Sequence, residues 1–213
     1  MTTEAKPLRR DAARNRDKLR AAASEVFTAK GLDASLEEIA KHAKVSIGTL
    51  YNHFPTREAL FDAIFPERVE ATEALAREAL TADDAWDGFA GYLEGLFDML
   101  AADRGLRHVM TREYPAAEAL TEACHRGFAA TEAIVLRARE SGSLRTDFEM
   151  SDLASVLWAM AHIIDTTADV APGAWRRFLA FILDGLRSEA AHPIAVEAMR
   201  PEQIVEALLG PSD

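Results

Sequence analysis

A single cysteine, Cys124, excludes an internal disulfide and any cysteine-rich zinc module. No stretch approaches the ~18 consecutive apolar residues of a membrane span, so no membrane partner is expected. The first twenty residues are polar and basic and lack the apolar core of a secretory signal; a cytoplasmic compartment is the expectation. Alternating β-branched runs of strand length are missing, which disfavours sheet-based enzyme folds. So are G-x-S-x-G, a phosphate-cradling glycine loop and a dinucleotide fingerprint, and no enzyme is expected. The histidines, His42, His53, His108, His125, His162 and His192, show neither H-x-x-x-H nor H-E-x-x-H spacing, so neither a metal nor another cofactor is expected. One E-x-x-H, Glu122 to His125, lacks the second that an all-helical diiron site needs.

What is present is helix-forming. Alanine, leucine, glutamate and arginine dominate, and a hydrophobic content of 49% is ample for a packed core. The formal net charge of −11 is unevenly spread. Residues 1–66 hold 11 Lys and Arg against 9 Asp and Glu, whereas residues 67–213 hold 13 against 26. Either a phosphate-facing module is attached to an acidic body, or the basic terminus is merely solvated; charge alone leaves both open.

Apolar periodicity predicts an all-α protein of about nine to ten helices. They are expected at about 11–30, 36–43, 47–53, 57–79, 85–101, 106–112, 117–141, 151–168, 174–191 and 201–209. Gly31 and Gly142 suit left-handed helix ends, Ser35 with Glu38 forms a capping box, and Ser46 and Thr56 can cap the next two helices. Pro66 is expected to kink or interrupt its helix. The expected division falls after residue 56, giving a three-helix unit at 1–56, with a flexible arm over about 1–10, and a larger helical body at 57–213.

The informative segment is Ser35 to Leu60. Two short amphipathic helices joined by the turn Lys44-Val45-Ser46 form a helix-turn-helix, whose second helix enters the major groove. Val45, Leu50 and Phe54 supply its buried side. Ser46, Thr49, Tyr51, Asn52 and His53 offer small polar groups, Gly48 permits close approach, and Arg57 follows.

This segment resembles the tetracycline-repressor (TetR) family. The likeness spans roughly residues 12–65, from Ala12-Ala13-Arg14 through Ala22 to Phe27, Gly31, Ile39-Ala40 and Ala43. Its centre is Val45-Ser46-Ile47-Gly48-Thr49-Leu50-Tyr51-Asn52-His53-Phe54, followed by Arg57-Glu58-Ala59-Leu60. The resemblance implies that Thr49 faces bases or a phosphate. Tyr51, His53 and Arg57 would hold the backbone, Ser46, Gly48 and Asn52 would border the reading surface, and Ser35 would meet a phosphate. Basic residues around Arg14 are further candidates. Lys44 departs from the family's usual glycine; a left-handed lysine there costs about a kilocalorie at most and adds a possible phosphate contact.

The resemblance implies that 1–56 is a helix-turn-helix DNA-binding domain and 57–213 a ligand-binding and dimerisation domain, together a repressor that binds a palindromic double-stranded operator as a homodimer. A small-molecule effector of unknown identity would release it by favouring badly spaced heads. Candidate pocket residues are Tyr92, Phe97, His108, Arg112, His125, Phe128, Trp158 and His162, with Asp165. Candidate dimer residues are Leu153, Leu157, Ile164, Trp175, Phe178, Leu179, Ile182 and Leu186; an all-intramolecular core is the alternative for these apolar helices. Cys124 reads as a redox sensor only if exposed near positive charge, and otherwise as an inert thiol. A DNA-binding adaptor without a small ligand stays open: a filled core would favour it, an enclosed pocket the ligand-responsive form.

Overall fold

The structure is a computed structural model describing residues 5–209, with side chains from residue 11 onward. Its helices are α1 (Ala5–Lys30), α2 (Leu36–His42), α3 (Ile47–His53), α4 (Arg57–Ala79), α5 (Ala85–Ala102), α6 (Arg104–Thr111), α7 (Glu118–Glu140), α8 (Met150–Thr167), α9 (Ala174–Leu186) and α10 (Pro201–Leu209). A 3-10 turn covers Ser188–Ala190, and no strand forms among the described residues.

Three boundaries differ from expectation. Helix α1 begins at Ala5, because Pro7 sits in the first turn, where a helical N–H has no partner to lose. Residues 1–4 of the expected arm lie outside the described residues. Helix α4 runs unbroken through Pro66. It buries Phe61, Ile64 and Phe65 before the proline and Val69, Thr72 and Ala76 after it, and this packing outweighs one missing hydrogen bond. Helix α9 stops at Leu186, short of residue 191. The N–H of Arg145 donates to the Leu186 carbonyl and that of Ser188 to the Ser143 carbonyl, each at 3.0 Å, drawing the chain into an extended bridge.

The caps follow the sequence. Ser46 accepts the N–H of Thr49 and Thr56 that of Ala59, both at 3.1 Å. Ser35 likewise accepts the N–H of Glu38 at 3.1 Å, but the Glu38 carboxylate pairs with Lys30 instead of closing a capping box. Gly31 is left-handed at φ 80°, and so is Lys44 at φ 57°.

Helices α1 to α3 form a small head and α5 to α10 a helical body, joined by α4. Phe27 of α1 meets Phe61 and Phe65 of α4 at centroid distances of 5.5 and 6.0 Å, welding the head's core to the first half of α4. Along the rest of its length α4 packs on α7, and α6 packs on α1. The body therefore touches the head through α4 and α6.

Candidate nucleic-acid interface and ligand cavity

The head is built so that α3 shows its polar side to solvent. Leu36, Ile39, Ala40, Leu50 and Phe54 are buried, and Val45 packs half-buried against them. Ser35, Lys44, Ser46, Gly48, Tyr51 and Asn52 are exposed around α3 and its preceding turn. Thr49 is half-buried, its hydroxyl 2.9 Å from that of Ser46. A Cβ on Gly48 would meet nothing closer than the Ser46 hydroxyl at 3.9 Å, so the fold itself does not require glycine there.

Two residues were not legible as part of this surface. Ile47 is exposed beside Tyr51 on the outward side of α3, an apolar contact that its place at a helix start conceals. Arg16 of α1 donates to the carbonyl of His53 at 3.1 Å and lies 4.6 Å over the Phe54 ring. It thereby satisfies a last-turn carbonyl of α3 and fixes the helix on α1. Its contact is long-range, which a run of basic residues does not reveal. His53 is half-buried at that junction.

Arg57 departs from its expected backbone-holding role. Its Nη1 donates inward to the carbonyls of Leu32 and Ala34, at 2.6 and 2.7 Å, binding α4 to the α1–α2 turn. The same turn is gripped from α6. The N–H of Leu32 donates to His108 Nδ1 at 3.2 Å, and Arg112 lies 3.5 Å from the carboxylate of Asp33. Burial, helped by Arg112, pushes the His108 pKa below its ordinary range.

Within the body lies a cavity of about 450 Å³ between α4, α5, α7 and α8, its lining completed by residues that include Ile204 and Leu208 of α10. Six of the eight sequence-expected pocket residues line it: Tyr92, Phe97, Arg112, His125, Phe128 and Trp158. The other two do not. His108 is committed to Leu32, and His162 is exposed on the outer side of α8. Asp165 pairs with Arg107 at 2.6 Å and does not line the cavity. The wall is predominantly apolar, and its buried hydroxyls are already satisfied. Tyr92 bonds Thr131 at 2.6 Å, Thr131 donates to the Gly127 carbonyl at 2.9 Å, and Thr72 donates to the Val69 carbonyl at 2.8 Å. Cys124 also lines the cavity; burial, with the charge of Glu113, pushes its thiol up to about 11, the condition of an inert thiol.

The apolar residues of α8 and α9 divide. Ile164, Trp175 and Leu179 are buried inside the protomer, and Leu153 and the half-buried Leu157 line the cavity. Phe178 remains exposed, Ile182 and Leu186 are half-buried, and Phe181, not anticipated, is 59% exposed. The periodicity of α9 shows two apolar sides and does not say which one faces inward.

A family profile described as bacterial regulatory proteins, tetR family, matches residues 19–64, and one described as an SbtR-like transcriptional regulator C-terminal domain matches residues 84–188. The transcriptional activator FasR of Mycolicibacterium smegmatis is 33% identical over 138 residues, 60% of each protein, so the chain spans less than two thirds of that relative's length. A TetR transcriptional regulator from Streptomyces coelicolor is 30% identical, with a TM-score of 0.52 over 81% of this chain and 98% of that one. The regulator FadR of Bacillus subtilis, solved with stearoyl-CoA, shares the fold at 18% identity, with a TM-score of 0.59 over 82% of this chain and 98% of that one.

Proposed function

The chain belongs to the tetR family of bacterial regulatory proteins, and from that premise we propose that it is a dimeric repressor released from a palindromic operator by a small, largely apolar ligand. One observation carries the reading. A solvent-facing α3 and an apolar cavity of about 450 Å³ share one chain and are joined through α4 and α6. The volume lies within the range of small-molecule sites, and an open cavity supports the ligand-responsive form over an adaptor with a filled body.

Ser35, Lys44, Ser46, Gly48, Thr49, Tyr51, Asn52 and His53 are the proposed DNA contacts, with Ile47 added, while Arg57 holds α4 to the α1–α2 turn. The proposed dimer surface is the exposed side of α9 around Phe178 and Phe181, with the outer side of α8 at Ala159 and His162. Two heads brought together this way read two half-sites about one duplex turn apart. A ligand shifts the heads only as far as its affinities for the two conformations differ. A second reading, activation, is favoured by the name of the FasR relative; the same head serves either output.

The deciding experiment is selection of bound duplexes from a random pool at several salt concentrations. A palindromic motif with steep salt dependence supports operator binding. No enriched motif from folded, dimeric protein overturns it. Transcription from a promoter carrying the motif then separates repression from activation.

A further inference from the structure

We infer that the ligand of this cavity is an amphipathic carboxylate, its hydrocarbon body inside the wall and its head on Arg112, where it displaces Asp33. The inference rests on the cavity being the effector site, as proposed above.

The argument begins with which polar groups are spare. Inside the wall, the hydroxyls of Tyr92, Thr131 and Thr72 bond one another or backbone carbonyls. The Cys124 thiol is protonated and a weak donor. A sugar or nucleoside buried there would leave its own donors and acceptors unpaired, at a penalty of about 1–3 kcal/mol each. A hydrocarbon body meets no such penalty.

Spare hydrogen-bonding capacity lies with His125, exposed on α7, and with Arg112 near α10, of which only Arg112 carries a permanent positive charge. Arg112 lines the wall there and is the only Lys or Arg that does so among the described residues. Its guanidinium carries five N–H donors. Its nearest acidic partner, Asp33, stands 3.5 Å away with both side chains half-exposed or more, so the pair is weak and readily exchanged. A ligand carboxylate can take the planar guanidinium with two parallel hydrogen bonds. Glu113, the neighbouring carboxylate in the wall, opposes an anion, and the head-group comparison below measures which of the two prevails.

Arg112 also borders a second groove that contains Asp33, Leu32 and Arg57 of the head–body junction. A head group that draws Arg112 into the cavity therefore removes one of the side chains gripping the α1–α2 turn.

The test titrates full-length protein with decanoate, 1-decanol and decylammonium below their aggregation concentrations. Quenching of tryptophan emission gives each Kd, since Trp158 lines the cavity. Decanoate is expected to bind at least tenfold tighter than decanol, and Arg112→Gln to bring that ratio close to one. Hydrogen exchange over residues 31–34 is expected to quicken several-fold when decanoate binds. Equal acid and alcohol affinities, a preference for the ammonium, or an unchanged ratio in Arg112→Gln overturns the carboxylate assignment while leaving an apolar effector site standing. Unaltered exchange over residues 31–34 overturns the displacement of Asp33. Failure of all three compounds to bind overturns this inference together with the effector-site reading.

Discussion

The backbone N–H of Leu32 donates to Nδ1 of His108 across 3.2 Å, so that ring nitrogen must stay unprotonated for the α1–α2 turn to be held from α6. Burial is the main cause of the lowered His108 pKa, followed by Arg112; Asp33 and Asp165 pull the other way and Arg104 adds to the lowering. With the folded pKa below the ordinary 6.5, the unfolded chain binds more protons as pH falls. The stability from this contact is fully present above pH 6.5 and is lost as pH drops below it. Urea unfolding between pH 8 and 5 should show that decline, and His108→Asn, which retains an acceptor but does not titrate, should flatten it. A wild-type stability that is flat or rises towards pH 5 contradicts the assignment.

Lys44 holds φ 57° in the turn before α3. Lys44→Gly should raise stability by up to about 1 kcal/mol, because glycine adopts this conformation without the Cβ clash. If the exposed lysine touches a phosphate, the same change lowers the salt slope of DNA binding by about one. Urea unfolding and binding isotherms at several salt concentrations measure the two effects separately.

Gly48 has open space where its side chain would be. Gly48→Ala should stabilise the head by about 0.5–1 kcal/mol through helix propensity while weakening DNA binding at least tenfold. The opposed signs are diagnostic. An alanine variant that binds DNA as well as the parent removes the case for close approach at this position.

Arg57 spends Nη1 on two carbonyls of the head. Arg57→Ala should therefore cost about 2–3 kcal/mol of stability, since it orphans both acceptors. Its DNA salt slope, measured where the variant is folded, should match the parent's, whereas Tyr51→Phe should weaken specific and random DNA alike. A shallower slope for the arginine variant would restore a phosphate contact to it.

Helix α10 has no buried residue, yet Ile204 and Leu208 line the cavity, and the N–H of Glu113 donates to the Leu208 carbonyl at 3.3 Å. Deleting residues 192–213 should leave thermal stability within a few degrees of the parent and speed both association and dissociation of an apolar fluorescent probe. Unchanged exchange rates would mean that ligands enter elsewhere.

Local chemistry was enough to determine the helices, the left-handed positions at Gly31 and Gly142, the caps at Ser46 and Thr56, and the polar side of α3. Each depends on residues within one or two turns of each other, and periodicity with φ preference reads such contacts directly. The continuity of α4 through Pro66 was decided by tertiary structure, since burial on both sides of the proline enters no local rule. So was the inward turn of Arg57, whose acceptors lie 23 and 25 residues away. The same holds for His108, placed outside the cavity by a partner 76 residues distant, and for Trp175 and Leu179, which face the core while Phe178 and Phe181 on the same helix face solvent. An apolar stripe records that a side chain avoids water; which neighbour shields it depends on how the helices pack.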